Sequence, residues 1–564
     1  MRESAENARR SQRPGPGTLA CGGLDLPRAG QEIGRGYEMR TKLHHLLEES
    51  AVRRGNANAL TYKDRTCSYH ELWLEVKTVA AGLTGIGLQR DDRVAVYLDK
   101  RIETVVAIFG ASAAGAVFVP VNHLLRPPQV AYILADCDVR VLVTSPERLA
   151  LLGDSLKGCP ALEHVILVDA REEMGQAFAA DYAVHGWSEM CQPSYSDQPS
   201  GSAGVDLDMA AILYTSGSTG KPKGVVLSHR NLIVGAESVS SYLENTESDV
   251  ILSALPLSFD AGFSQLTTAF SVGAHTILMN YLVPGDVVRL CAKHQVTGLT
   301  CVPPLWIQIA DLAWPAEVAQ TMRYFANTGG RMPKATLDRL RSHFPAAKPY
   351  LMYGLTEAFR STFLDPAEVD RRPDSIGKAI PNAEIIVARA DGSRCEPGEE
   401  GELVHRGPLV ALGYWNNPER TAERFRPAPG TTTDWRTPEI AVWSGDAVVE
   451  DEEGFLYFVG RKDEMIKTSG YRVSPTEIEE VAYDTGMVRD AVALGLDDPR
   501  LGHRIVLVAS PASGAELDTT GLLAAMKRTL PLYMVPATVV VREQLPRSPN
   551  GKFDRALLKR ELTS

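Results

Sequence analysis

The sequence predicts an α/β fold. It comprises a large N-terminal domain of two α/β subdomains plus a small β-barrel-like subdomain, then a small mobile α+β C-terminal domain. Three observations predict it. Helical segments alternate with Val/Ile-rich, strand-like segments from about residue 72 to 144 and again from about 213 to 365. That alternation is the pattern of parallel sheets covered by helices. Between 382 and 458 it gives way to short strands broken by Gly, Pro and Asp turns, the texture of a β-rich subdomain. The tail from 460 mixes both types and has the size of a unit of its own.

Each element follows in order. Residues 1–38 are rich in Gly, Pro and Arg and contain no apolar run. They read as a disordered extension, not a secretory signal, with Met39 as an alternative start. A helix at 72–83 leads to a strand at 93–98, a helix at 102–114 to a strand at 116–121, and a helix at 129–136 to a strand at 140–144. The uncharged stretch 104–124, TVVAIFGASAAGAVFVPVNHL, has the length of a membrane span. Pro120 and the small-residue centre instead indicate a buried helix running into a buried strand. Residues 192–204 read as a surface loop. Strands are expected at 384–388, 402–406, 447–450 and 455–459. The tail carries helices at 474–483 and 519–530 and strands at 490–496, 505–509 and 538–541.

Composition narrows the function. At 564 residues the chain exceeds what one core usually serves. Apolar residues at 44% and charged residues at 23% are those of a soluble globular protein. A net charge of −11 argues against a general nucleic-acid binder. The eight cysteines form no CxxC pair or Cys/His cluster, so they read as scattered thiols of a reducing compartment.

The strongest chemical signal is YTSGSTGKPKG at 214–224, directly after an apolar strand. Small residues let backbone N–H groups curl around phosphate oxygens, and Lys221 and Lys223 add charge. It is not a Walker A loop, because Pro222 follows the lysine and Thr215 stands where the first glycine belongs.

Further segments follow in order: YGLTEA at 353–358, GELVHRGPLVALGYWNNPERT at 401–421, WSGDAV at 443–448, GRKDEMIKTSGYRVSPTEIE at 460–479 and PRSPNGKFDR at 546–555. Together with LYTSGSTGKPKGVVLSHRNL they resemble the AMP-forming adenylating superfamily, which holds acyl-CoA synthetases, nonribosomal peptide synthetase adenylation domains and luciferases. The likeness runs from about Met39 to the end. It implies an enzyme that joins a carboxylic acid to AMP, releases pyrophosphate, and passes the acyl group to a thiol. The reaction brings two anions together, so cations must stand where charge gathers.

The resemblance implies roles residue by residue. Thr215, Ser216, Gly217, Ser218, Thr219, Gly220, Lys221 and Lys223 would meet the pyrophosphate end of ATP. Glu357 would hold Mg²⁺, a hard cation, and Thr356 would contact the α-phosphate. Tyr353 would lie beside adenine, with Gly329, Gly330 and Arg331 nearby. Asp446 would accept both ribose hydroxyls, and Arg461 would support ribose and phosphate. Lys552 would reach between the acyl carboxylate and the α-phosphate. A hinge at Asp463 would then swap Lys552 for the loop at Gly470 in the thiol step. The implied domains are 39–459 for ATP and acid, with a β-rich part at about 382–459, a hinge at 460–463, and a C-terminal domain at 464–564.

LPLSFDAGFSQL at 255–266 is the expected acid pocket, with Phe259 and Asp260. Asp260 either holds a substrate ammonium, as in amino-acid-activating relatives, or pairs with a protein cation. Arg360 either binds a polar group on the substrate or cancels Asp260. LPLSFDAGFSQLTTAF, YGLTEAFRSTFLDP, EVDRRPDSIGKAIPNAEI and LVALGYWNNPERTAERF also look like bacterial acyl-CoA ligases of exosortase A systems. That likeness implies a bacterial cytoplasm. The implied acceptor is coenzyme A or the phosphopantetheine thiol of a carrier protein. No carrier segment follows SPNGKFD, so a carrier is expected to be a separate protein. The other two readings are an amino-acid adenylating enzyme that loads such a carrier, and a non-catalytic nucleotide-binding protein. The presence of Lys552, Glu357 and Asp446 argues against the latter.

Overall fold

The computed structural model describes residues 39–169, 182–192, 204–215, 222–430, 435, 437–461, 464–468, 471–498, 501–512, 516–530, 532–548 and 551–563. Residues 40–564 form one unit built on three sheets.

An 8-stranded sheet carries the first alternation. Its parallel centre runs through Met209–Thr215, Val117–Pro120, Arg93–Tyr97, Val139–Thr144, His164–Leu167 and Ala183–Gly186. Lys223–Ser228 returns antiparallel on Met209–Thr215, and Gly413–Tyr414 closes that edge. The helix Ile102–Ala113 is buried almost throughout and leads into Val117–Pro120, as the small-residue centre of 104–124 indicated. No described helix is long and apolar enough to cross a membrane.

A 14-stranded sheet carries the rest of the N-terminal part. Strands Asn58–Tyr62, His275–Leu278, Val250–Ser253, Gly298–Cys301, Tyr324–Asn327 and Lys348–Tyr353 are parallel, and Thr362–Leu364 turns antiparallel. Ser375–Ala379, Leu456–Arg461, Ile440–Glu450, Glu400–Arg406 and Glu384–Ala388 continue it antiparallel. The segment expected to be barrel-like is therefore an open extension of a mixed sheet, with no closed barrel among the described residues. Alternation predicts strands, but closure needs a strand tilt and stagger that alternation does not encode.

A 5-stranded sheet forms the tail, with Val488–Asp498 and Gly502–Pro511 as its longest hairpin. Helices Pro475–Asp484 and Thr519–Thr529 pack on it through Ile478, Leu522 and Met526.

One helix bears on the site more than the others. Asp260–Val272 is buried on every side from Asp260 to Ser271. Phe263, Leu266 and Phe270 lie in the main core, each stabilising the fold by about 1.5–3 kcal/mol through burial. Its entry is tight: a Cβ at Gly262 would collide with the Pro256 carbonyl oxygen. Asp260 occupies the first turn, where the helix dipole favours a carboxylate.

Candidate active site

Thr215 and Lys223 face each other in register at the loop end of their hairpin. Residues 216–221 between them, which include Ser216 to Lys221, lie outside the described residues. The Lys223 ammonium donates to Glu357 Oε1 at 3.0 Å and to Tyr414 Oη at 2.8 Å. Tyr414 Oη donates to the same Glu357 oxygen at 2.6 Å. Glu357 sits in the 3₁₀ turn Thr356–Ala358, just past the strand Lys348–Tyr353. Burial alone would raise the Glu357 carboxyl, yet the Lys223 charge and the Tyr414 hydroxyl hold it well below the usual carboxylate range. The turn therefore presents a fixed anion beside a fixed cation.

A second group stands on adjacent strands. Asp446 and Arg461 are cross-strand partners, with Arg461 Nε 3.5 Å from Asp446 Oδ1. The Tyr353 hydroxyl donates to Asp446 Oδ2, and the Tyr353 ring packs on Phe458 at 6.1 Å. Burial raises the Asp446 carboxyl against the opposing pull of Arg461 and Tyr353. Asp446 Oδ1 and Thr215 Oγ1 are buried and make no hydrogen bond. Buried polar atoms are nearly always satisfied, so both fit an oxygen-rich ligand such as a nucleotide.

Gly329 joins the two halves of the site. Its φ of +77° suits glycine, and a Cβ there would lie 3.2 Å from Val302, 3.8 Å from Phe259 and 3.9 Å from Lys552 Cε. Lys552 is exposed on a loop closed by a bond from Ser548 N to the Lys552 carbonyl at 2.7 Å. It is near enough to Asp446 to lower that carboxyl's affinity for a proton. Gly330 accepts from Asn327 Nδ2 through its carbonyl at 2.7 Å. Arg331 turns to Asp374 and to Glu480 of the helix Pro475–Asp484, so its guanidinium ties that helix to the segment after Gly330. Asp463 and Gly470 lie outside the described residues.

Asp260 and Arg360, two residues expected in the acid pocket, meet directly. Arg360 Nη1 donates to Asp260 Oδ2 at 3.0 Å, and Thr356 Oγ1 donates to Asp260 Oδ1 at 3.4 Å. Of the two fates open to Asp260, pairing with a protein cation is the one observed. Phe259 is buried at the N-cap of the Asp260 helix. Phe359 takes a φ of +57° while fully buried, a strained conformation for a bulky residue that clusters at functional sites.

Sequence reasoning missed three participants. Tyr414 lies inside a quoted motif, but an aromatic there reads as core. Tyr214 donates to Asp136 Oδ2, which anchors the strand Met209–Thr215. Lys100 is buried and donates to the carbonyls of Ser253 at 2.5 Å and Leu255 at 2.9 Å, below the acid-pocket loop. Neither Asp136 nor Lys100 belongs to a motif that carries a role.

Comparison with known proteins gives the family and the fold. The family model for AMP-binding enzyme matches residues 47–415, and that for AMP-binding enzyme C-terminal domain matches 477–552. A feruloyl-CoA synthase of Amycolatopsis sp is 30% identical over 510 residues, covering 90% of this chain and 96% of that protein. Tyrocidine synthase 3 of Brevibacillus parabrevis is 29% identical over 93% of this chain, which spans only 8% of that protein's length. The anthranilate CoA ligase AuaEII, solved in complex with anthranoyl-AMP, shares the fold with a TM-score of 0.81 at 23% identity, over 93% of this chain and 97% of that one. With a family model matched over more than half its length, the chain belongs to the AMP-binding enzyme family.

Proposed function

We propose that the protein is an AMP-forming acid–thiol ligase. A carboxylate attacks the α-phosphorus of ATP, forming acyl-AMP and expelling pyrophosphate. A thiol, most simply that of coenzyme A, then displaces AMP to give a thioester. The observation that carries this reading is the approach of Lys552 to both Gly329 and Asp446, with buried Asp446 Oδ1 left without a hydrogen bond.

In this reading Asp446 accepts the ribose hydroxyls and Arg461 supports them. Tyr353 flanks the base with Gly329 and Gly330. Thr215, Lys223 and the loop 216–221 take the pyrophosphate end. Thr356 meets the α-phosphate, and Lys552 offsets the charge that develops between carboxylate and phosphorus. Glu357 would hold Mg²⁺ on the phosphates, where the ion would neutralise leaving-group charge. The domain division at 460–463, with Asp463 as hinge and the Gly470 loop serving the thiol step, belongs to the same proposal. So does a cytoplasmic setting, where ATP and coenzyme A are available. The same proposal extends to the bacterial exosortase A group.

The test is ATP–pyrophosphate exchange with Mg²⁺ across a panel of fatty, aromatic, hydroxy and amino acids. Acid-dependent exchange, followed by thioester formation on adding coenzyme A, is the expected result. Exchange with acid but transfer only to a carrier protein would replace coenzyme A in this reading. Absence of exchange with every acid would overturn it.

A further inference from the structure

The acid pocket of the proposed ligase contains a closed pair of charges. Asp260 and Arg360 side chains are 5% and 3% exposed. They meet at 3.0 Å. Thr356 Oγ1 also reaches Asp260, and Arg360 Nη1 also donates to the Phe359 carbonyl at 3.0 Å. The Tyr242 hydroxyl stands beside the same guanidinium. Arg360 Nε, equally buried, has no hydrogen-bond partner.

Arg360 also lines a small cavity of about 20 Å³, enough for one water-sized group. Ala261, Ser264, Gln265 and Thr268 form its helical wall, at the spacing that places them on one face. The Gln265 amide is fully used, accepting from Leu255 N and donating to the Leu252 and Thr300 carbonyls. Among the lining side chains, Arg360 keeps an unbonded Nε donor, and the Ser264 and Thr268 hydroxyls lie 3.5 Å apart. Among the described residues, no carboxylate, and no cation other than Arg360, lines the space.

These features set the charge of the acid. An ammonium beside Asp260 must compete with Arg360 for the same carboxylate. A second carboxylate beside Arg360 would strip Asp260 of its partner. Either way a buried charge loses its counter-ion, which is strongly unfavourable. A purely alkyl tail leaves Arg360 Nε unsatisfied, whereas a hydroxyl, ether or carbonyl oxygen satisfies it.

We propose that the Asp260–Arg360 pair is the specificity determinant of this pocket. It selects a compact acid whose tail is uncharged and bears a hydrogen-bond acceptor, and it rejects amino acids and dicarboxylic acids. The inference rests on the ligase reading above.

The test compares size-matched acids in ATP–pyrophosphate exchange with the full-length enzyme. One set is butyrate, 3-hydroxybutyrate, 2-aminobutyrate and succinate. The other is benzoate, 4-hydroxybenzoate, 4-(aminomethyl)benzoate and terephthalate. In whichever set is turned over, the hydroxy acid should lead, and both charged acids should fall roughly 10²-fold below it in kcat/KM. Arg360→Met should raise exchange with the ammonium-bearing acid, and Asp260→Asn should raise exchange with the dicarboxylic acid, each reversing the wild-type order. Thermal melting establishes that the variants fold. If they do not, the wild-type ranking decides alone. A charged acid leading in the wild type overturns the proposal, as do folded variants that keep the wild-type order. No exchange with any acid, with ATP binding intact in calorimetry, instead sinks the ligase reading, and this inference falls with it.

Discussion

Lys223 Nζ and Glu357 Oε1 stand 3.0 Å apart although 134 residues separate them in the chain, and Tyr414 Oη bridges both. The pair links the strand Lys223–Ser228 to the turn that follows Tyr353. Glu357→Gln keeps the shape and removes the anion. It should lower adenylation by about 10²–10³-fold, the scale of one misplaced electrostatic group. Tyr414→Phe keeps the ion pair and loses one hydroxyl, so its loss should be smaller. Pyrophosphate exchange at saturating acid measures both. Equal losses would place the main effect in the Tyr414 hydroxyl, which holds Lys223 and Glu357 in place, rather than in the Glu357 charge.

Lys552 reaches the cleft from an exposed loop beside Gly329. An exposed side chain contributes little to stability, within about 0.5 kcal/mol. Lys552→Ala should therefore melt like the wild type. It should nevertheless lose most adenylation while still forming thioester from supplied acyl-AMP and coenzyme A. Parallel loss in both half-reactions would remove the role assigned to this lysine.

What the sequence conveyed divides by range. The βα alternation around 93–144 was legible because apolar periodicity is local, and Arg93–Tyr97 and Ile102–Ala113 fall where it indicates. Sheet order was not legible. Asn58–Tyr62 pairs with His275–Leu278, and Ser375–Ala379 pairs with Leu456–Arg461, across distances no local pattern encodes. The site divides the same way. Motifs marked Glu357, Asp446 and Lys552 singly. The sequence posed two fates for Asp260 and could not choose, because Arg360 lies 100 residues away. Tyr414 was missed because a buried tyrosine and a site tyrosine look alike in sequence.

The helix that ends at Asp136 holds the chain on both sides of residues 216–221. Tyr214, just before the loop, donates to Asp136 Oδ2, and Tyr132 of the same helix donates to the Pro222 carbonyl just after it at 3.2 Å. Trp415 Nε1 donates to the Asp136 carbonyl at 2.7 Å. A hydrogen bond to a charged group contributes about 1.5–3 kcal/mol. Tyr214→Phe should therefore raise KM for ATP by about tenfold or more and leave KM for the acid unchanged. A matching rise in both constants would indicate general loosening of the fold instead.

Lys100 offers a pH signature. It is 5% exposed, it donates to two carbonyls, and burial pushes its ammonium from 10.5 down to about 7. The unfolded chain keeps that proton up to about 10.5, so between pH 7 and 10.5 it binds more protons than the folded chain. Stability from this group therefore rises with pH across that window and is at its lowest below pH 7. Lys100→Met abolishes the titration and leaves the Ser253 and Leu255 carbonyls without this donor at every pH. The stability advantage of wild type over variant should grow from pH 7 toward 10, by at most about 1.4 kcal/mol per unit. Chemical denaturation at pH 6.5, 8 and 9.5 reads it directly. A difference that stays constant with pH would mean that Lys100 remains charged throughout, held by those two carbonyls alone.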